Sequence, residues 1–210
     1  MNHILFFMDE NPVLQGEKII LRKIVKSDVQ DMYDYSCDPA VTKYLLWKPH
    51  ESFAYTKRYL DEVMRQYKAH NFFDFAIVSK KESRMIGTCG FTHLDPINHS
   101  AEIGYVIAAP YWGKGIASEA CAMILRFAFC NLGLHRVEAR YMPGNAASRR
   151  VMEKSGMTFE GIEREAIFVK GVYQDVGKCA ILRNEYLASH ENRPYFWKDT
   201  SIRSPFSFFS

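Results

Sequence analysis

Ala101-Glu102-Ile103-Gly104-Tyr105-Val106-Ile107, then Ala108-Ala109-Pro110, then Tyr111-Trp112-Gly113-Lys114-Gly115-Ile116-Ala117-Ser118-Glu119-Ala120, is the stretch whose reading decides the fold. Its first seven residues alternate as a strand does, and the residues from Ile116 to Leu132 repeat apolar side chains at helical spacing (Ile116, Ala120, Met123, Ile124, Phe127, Ala128). A glycine-rich turn that hands a strand to a helix gathers several backbone N–H groups at the positive end of the helix dipole. Such a spot suits a phosphate or pyrophosphate. Two familiar phosphate motifs do not fit. The P-loop wants lysine after its second glycine, and here Lys114 precedes Gly115; the dinucleotide fingerprint wants a third glycine where Ser118 stands.

Outward from this stretch, the chain reads as elements of an α+β sheet. Glu17 to Ile24 is a first strand; a helix follows from a capping box at Ser27 and Gln30 to about Ser36; Asp38-Pro39 restarts a helical segment. Ser52 to Ala69 is an amphipathic helix with Phe53, Leu60, Val63, Met64 and Tyr67 inward. Phe73 to Val78 and Met85 to Thr92 are strands joined by a polar turn, and Asp95-Pro96-Ile97-Asn98 turns into the Glu102 strand. After the glycine loop and its helix come a strand (His135 to Met142), a helix (Asn145 to Ser155, stopped by Gly156) and two strands (Met157 to Phe168, Asp175 to Leu182). Consecutive strands mixed with single helical crossovers predict a mostly antiparallel sheet with one parallel crossover in its middle.

Composition narrows the function classes. Two hundred and ten residues, 48% hydrophobic and 24% charged, suit one globular domain. A net charge of +3 is too small to imply nucleic acid and is mildly favourable to a polyanionic ligand. The five cysteines lack Cys-x-x-Cys spacing and are odd in number, which favours buried, reduced thiols and a cytoplasmic protein. His93 and His99 have no ligand-spaced carboxylate or thiol, so no metal is expected. No apolar run reaches the ~18 residues of a membrane span, and Met1 to Met8 lacks the features of a signal peptide.

The loop resembles the pyrophosphate loop of the GCN5-related N-acetyltransferases (GNAT), Gln/Arg-x-x-Gly-x-Gly/Ala. It reads here Trp112-x-x-Gly115-x-Ala117, with tryptophan at the first position. A second segment, Asn145-x-x-Ser148 followed by Glu153-Lys154-Ser155-Gly156-Met157, resembles the family's Asn-x-x-Ser…Glu-Lys-x-Gly-Phe. The wording Ala-Glu-Ile-Gly-Tyr…Tyr-Trp-Gly-Lys-Gly is similar to the RimJ/RimL branch, the ribosomal-protein N-terminal acetyltransferases. The resemblance covers roughly Glu17 to Ala188. It implies the GNAT acyl-CoA N-acyltransferase fold: a central, mostly antiparallel mixed sheet with a splayed parallel pair in the middle, flanked by four helices. On this reading residues 1–188 form one domain and 189–210 an aromatic-rich tail, either a loose extension or an arm docking on a neighbouring subunit in a homodimer.

The same resemblance assigns the site. Acetyl-CoA would be held by Val106, Ile107 and Ala108, where the family's strand bulges and leaves its amides free, by Trp112, Gly113, Lys114, Gly115, Ile116, Ala117 and Ser118, and by Asn145 and Ser148. The tyrosine that many relatives use to protonate the departing thiolate is replaced by Met152, leaving Ser148 for that role. Glu102 is the candidate base, sharing a strand face with Gly104, which leaves space beside it, and Val106. Both Asn145 and Ser148 are also ordinary residues for a helix cap, and Glu102 for a salt bridge. The expected activity is direct acetyl transfer from acetyl-CoA to a primary amine. The first candidate is a protein N-terminal α-amine; the alternatives are a small amine (amino acid, polyamine or aminoglycoside) or a non-catalytic acyl-CoA sensor. The segment Tyr35 to His50, with Lys43, Lys48 and Trp47, is expected to roof the acceptor site. No membrane or direct nucleic-acid partner is expected.

Overall fold

The computed structural model describes residues 12–70 and 73–190. The apolar Met1 to Met8 stretch and all but the first two residues of the expected tail lie outside them. Among the described residues eight strands form one sheet: β1 Leu14–Gln15, β2 Ile19–Arg22, β3 Phe73–Ser79, β4 Met85–Asp95, β5 Ser100–Ile107, β6 Arg136–Tyr141, β7 Thr158–Val169 and β8 Val172–Leu182. Their order across the sheet is β1-β2-β3-β4-β5-β6-β8-β7. Every pairing is antiparallel except β5 with β6. Six α-helices accompany them: α1 Val29–Ser36, α2 Pro39–Thr42, α3 Phe53–Lys68, α4 Ile116–Arg126, α5 Ala146–Lys154 and α6 Arg183–His190. The mixed sheet and its central parallel pair follow the expectation; the short α2 begins at the expected Asp38-Pro39 restart, and the terminal α6 is the helix that was not expected.

Alternation along β3 divides the molecule into two cores. Phe75 and Ile77 join Leu21, Ile86, Ile103 and the buried stripe of α4 on one side of the sheet. Ala76 and Val78 join Met32 and Tyr35 of α1 and Leu60 and Val63 of α3 on the other. The α4 stripe continues through a π-turn at Phe127–Asn131 and stops at Gly133, whose φ of +67° suits a residue without a side chain. Ile124 is fully buried there, and its truncation to alanine would cost about 3 kcal/mol.

Two local expectations are corrected. The first helix is not opened by Ser27 and Gln30. Asp28 does that work: its carboxylate accepts the Val25 N–H (2.9 Å) while holding Arg22 through two bonds of 2.8 and 2.7 Å. The bulge expected at Val106–Ala108 lies instead on β4, where Ile86 and Thr92 are each an extra residue against the neighbouring strand. The strands nevertheless splay as expected. Pairing of β5 with β6 runs only from Ser100↔Arg136 to Ile103↔Ala139. Beyond it β5 stays with β4 to Ile107 and β6 stays with β8 to Tyr141, so the two diverge. Gly177 makes the divergence compatible with a filled wall, because a Cβ there would lie 2.4 Å from the buried Tyr141 ring.

Candidate active site

The divergence of β5 and β6 opens a cavity of about 320 Å³. Its walls are Glu102 to Val106 of β5, Arg140 to Met142 about the end of β6, and Asn145, Ser148 and Met152 about α5. Asp74 of β3 and Thr88 and Thr92 of β4 line it from behind, and Tyr44, Leu45, Leu46 and Trp47 close it above, as the roof reading expected. The roof is pinned at both ends. His50 is buried, with Nδ1 2.8 Å from the Thr56 hydroxyl and its ring against Trp47 and Tyr59. From the β7–β8 turn, Lys170 Nζ donates to the carbonyls of Thr42 (2.6 Å) and Lys43 (3.4 Å).

The glycine loop has the makings of an anion cradle. Gly113 and Gly115 have φ of +72° and +82°, which other residues adopt only under strain. Added Cβ atoms would meet nothing at Gly113 and only Lys18 Nζ, at 3.8 Å, at Gly115, so the concave side is open. The first backbone bond of α4 runs from Glu119 N to Gly115 O, and no side chain caps the helix. The N–H groups of Ile116, Ala117 and Ser118 therefore have no partner within the helix and are offered to a ligand. Lys114 and Lys18 add positive charge, the latter donating to the Lys114 carbonyl at 3.3 Å. Trp112, at the position where glutamine or arginine was expected, donates its indole N–H to the Ile107 carbonyl at 2.7 Å. It thus ties the loop to the end of β5.

Of the three residues expected to offer free amides, Ala108 does not, because its N–H is bonded to the Ile86 carbonyl at 2.9 Å. From Gly104 to Ile107, the edge of β5 turned away from β4 has no strand partner among the described residues. Asn145 Oδ1 caps α5 by accepting the Ser148 N–H at 3.1 Å, so what it retains for a cofactor is its amide nitrogen. Ser148 Oγ lies 2.9 Å from the Tyr105 hydroxyl, which also donates to the Ser148 carbonyl at 3.0 Å. Met152 is buried in the wall and carries no proton.

Glu102 lines the cavity with both oxygens engaged: Oε1 accepts the Thr92 hydroxyl (2.9 Å) and Oε2 faces Arg140 Nε (2.7 Å). The space expected beside it at Gly104 is taken by the Thr92 methyl, which a Cβ at Gly104 would meet at 2.8 Å. Three other carboxylates of the neighbouring strands do not line the cavity: Glu138 and Glu160 pair with Arg136, and Glu163 pairs with Lys178. Sequence reading missed Asp74, Tyr105 and Arg140. Asp74 left a signal, an acid inside the apolar run Phe73-Asp74-Phe75-Ala76-Ile77-Val78. Burial pushes its carboxyl up to about 7, against the opposing Thr88 hydroxyl and Phe75 N–H. Burial likewise raises the Tyr105 phenol, which stays protonated and able to donate.

Known proteins resemble this chain in sequence and in fold. A model of the GNAT acetyltransferase domain matches residues 18–158. An uncharacterized N-acetyltransferase, p20, of Bacillus licheniformis is 33% identical over 176 residues, 82% of this chain and 97% of that one. The putative ribosomal N-acetyltransferase YdaF of Bacillus subtilis is 32% identical over 138 residues, 66% of this chain and 74% of that one. The crystal structure of spermidine N-acetyltransferase from Vibrio cholerae in complex with CoA and spermine superposes with a TM-score of 0.70 at 26% identity, over 82% of this chain and 99% of that one.

Proposed function

The chain belongs to the GNAT acetyltransferase family and is an acetyl-CoA-dependent N-acetyltransferase; from that premise we propose that its acceptor is the N-terminal α-amine of a protein, acetylated by direct attack in a ternary complex. The charge balance of the cavity carries the choice of acceptor. Three charged side chains line it, and Arg140 offsets Glu102, which leaves the Asp74 carboxylate to receive one ammonium group. A polyamine brings several positive charges and would also meet the exposed Lys43 and Lys48 of the roof. The relative named as a ribosomal N-acetyltransferase agrees with this reading; the spermidine enzyme represents the acceptor class that the charge balance disfavours.

In this reading the N–H groups of Ile116, Ala117 and Ser118 hold the pyrophosphate, and Lys114 and Lys18 offset its charge. The pantetheine arm runs along the open edge of β5 from Gly104 to Ile107. A strand N–H at Val106 or Ile107 polarises the thioester carbonyl as negative charge builds on its oxygen. The Ser148 hydroxyl, aimed by Tyr105, protonates the departing sulfur. Glu102, held by Arg140 and Thr92, accepts a hydrogen bond from the incoming amine. Direct attack is supported by the thiols: none lines the cavity, and burial raises Cys89 well above its ordinary range and Cys121 to about 11.

The test is a panel of acceptors with the full chain, following thiol release and product mass. Peptides with free N-termini, free amino acids, spermidine and an aminoglycoside are compared. The expected result is a kcat/KM at least about tenfold higher for a free-N-terminus peptide than for spermidine, a difference of roughly 1.4 kcal/mol, with no product from the same peptide blocked at its N-terminus. A preference for spermidine would overturn the choice, and a preference for a free amino acid would move it to small monoamines.

A further inference from the structure

We infer that Asp74 takes the proton from the acceptor amine, with Glu102 as a positioning group. The inference rests on the acetyl-transfer reading of the site, and it concerns a strand on which sequence reading assigned no functional residue. Three observations carry it. Asp74 stands in the cavity wall, on the β3 strand, where its register partner is Gly90. A Cβ at Gly90 would lie 2.8 Å from Asp74 Oδ1 and 2.5 Å from its Cα, so the glycine is what lets the carboxyl lie over β4. Its polar partners are uncharged, the Phe75 N–H at 3.0 Å and the Thr88 hydroxyl, and no cation pairs with it among the described residues. Glu102, by contrast, has a guanidinium on one oxygen and a hydroxyl on the other.

The groups that face Asp74 leave its titration to itself. Tyr35 of α1, Tyr59 and Tyr67 of α3 and Cys89 of β4 feel its charge, and burial raises each of them, so all four stay neutral at physiological pH. Across the cavity, Glu102 and Arg140 offset one another. A carboxyl that titrates near neutrality is half ionised where an α-amine (pKa about 7.7–8.0) is mostly ammonium, so proton transfer between them is nearly balanced.

The ammonium gives one proton to Asp74, and the freed lone pair forms the C–N bond at the thioester carbonyl. The C–S bond then breaks with its electron pair on sulfur. Sulfur takes a proton from the Ser148 hydroxyl, which is restored by the second N–H proton. Asp74 returns its proton to solvent between turnovers.

The test compares Asp74→Asn and Glu102→Gln in the full chain, with whichever amine is turned over fastest, so that the outcome does not depend on the acceptor class. In the unaltered protein kcat/KM should rise with pH through about 7. In Asp74→Asn it should fall about 100-fold at pH 7, and the loss should shrink as pH passes the acceptor's own amine pKa. Coenzyme A affinity, measured by calorimetry, should be unchanged. Glu102→Gln should raise the acceptor KM while leaving the acidic limb in place. Activity of Asp74→Asn within about threefold at every pH, or transfer of the pH-dependent loss to Glu102→Gln, would overturn the assignment. Carboxyl 13C NMR of the unaltered protein tests it without any variant: an Asp74 signal titrating in the ordinary range, about 3.9, would equally refute it.

Discussion

Replacing Tyr105 by phenylalanine removes one oxygen and leaves the ring, so its consequences can be worked from two distances. With no substrate bound the phenol donates to the Ser148 carbonyl at 3.0 Å and accepts the Ser148 hydroxyl at 2.9 Å; turned onto Ser148 Oγ, the phenol's hydrogen frees the serine's for the sulfur. Two half-buried hydrogen bonds are worth about 1 kcal/mol each. For a chain of this size about 2 kcal/mol lowers Tm by roughly 4–8 °C. The catalytic effect is separate: without the phenol, the serine hydroxyl is free to turn away from the sulfur. A loss of about tenfold in kcat, roughly 1.4 kcal/mol, is expected, with little change in the KM for acetyl-CoA. The assay is a double-mutant cycle on kcat by thiol release, with thermal melts on the same four proteins. If Tyr105 acts by aiming Ser148, its loss costs nothing further once Ser148→Ala is made. An additive cycle, with Tyr105→Phe costing the same in both backgrounds, would refute this reasoning.

Two further expectations concern the cradle and the half-buried Asp74. Gly115→Ala should raise the Kd for coenzyme A about tenfold while costing only about 1–2 kcal/mol of stability, because the φ of +82° is strained for alanine but its Cβ meets only Lys18 Nζ; calorimetry showing unchanged affinity in the folded variant would count against the cradle. Asp74 has its carboxyl raised in the fold, so its ionisation opposes folding: the penalty is absent below about pH 4, grows as pH rises toward 7 and is constant above. Asp74→Asn should therefore gain stability relative to the unaltered protein across that window, by at most roughly 4 kcal/mol less what residual solvent contact screens; a difference independent of pH in denaturant titrations would contradict the burial argument.

The parts of this architecture that were legible in the sequence are those written within one element or one turn. The paired glycines and the stripe from Ile116 to Ala128 announce a loop and a helix by spacing alone, and Asn145 announces the cap that it forms. What stayed illegible joins distant positions. Tyr105 meets Ser148 across 43 residues, and nothing in either neighbourhood says which hydroxyl the tyrosine will find. Arg140 is one charged residue in the strand from His135 to Met142, and nothing near it in sequence names the Glu102 that it meets across the splay. The strand β1 has two residues, too few to show alternation, and α6 follows β8 with no intervening turn to punctuate it. The bulge at Thr92 was hidden because an extra residue in a strand leaves no mark on composition, only on register.

The lysine that holds the roof has a consequence for the order in which the molecule acquires its parts. Lys170 and Thr42 are 128 residues apart, so the upper wall of the cavity, drawn from the first quarter of the chain, is fastened by a hairpin from the last. Contacts of such long separation form late, after the loop-closure entropy of the intervening chain has been met. The glycine loop and its helix lie together in sequence and need no such closure. A chain emerging during synthesis is therefore expected to form the glycine turn and its helix before the roof is fastened over the cavity.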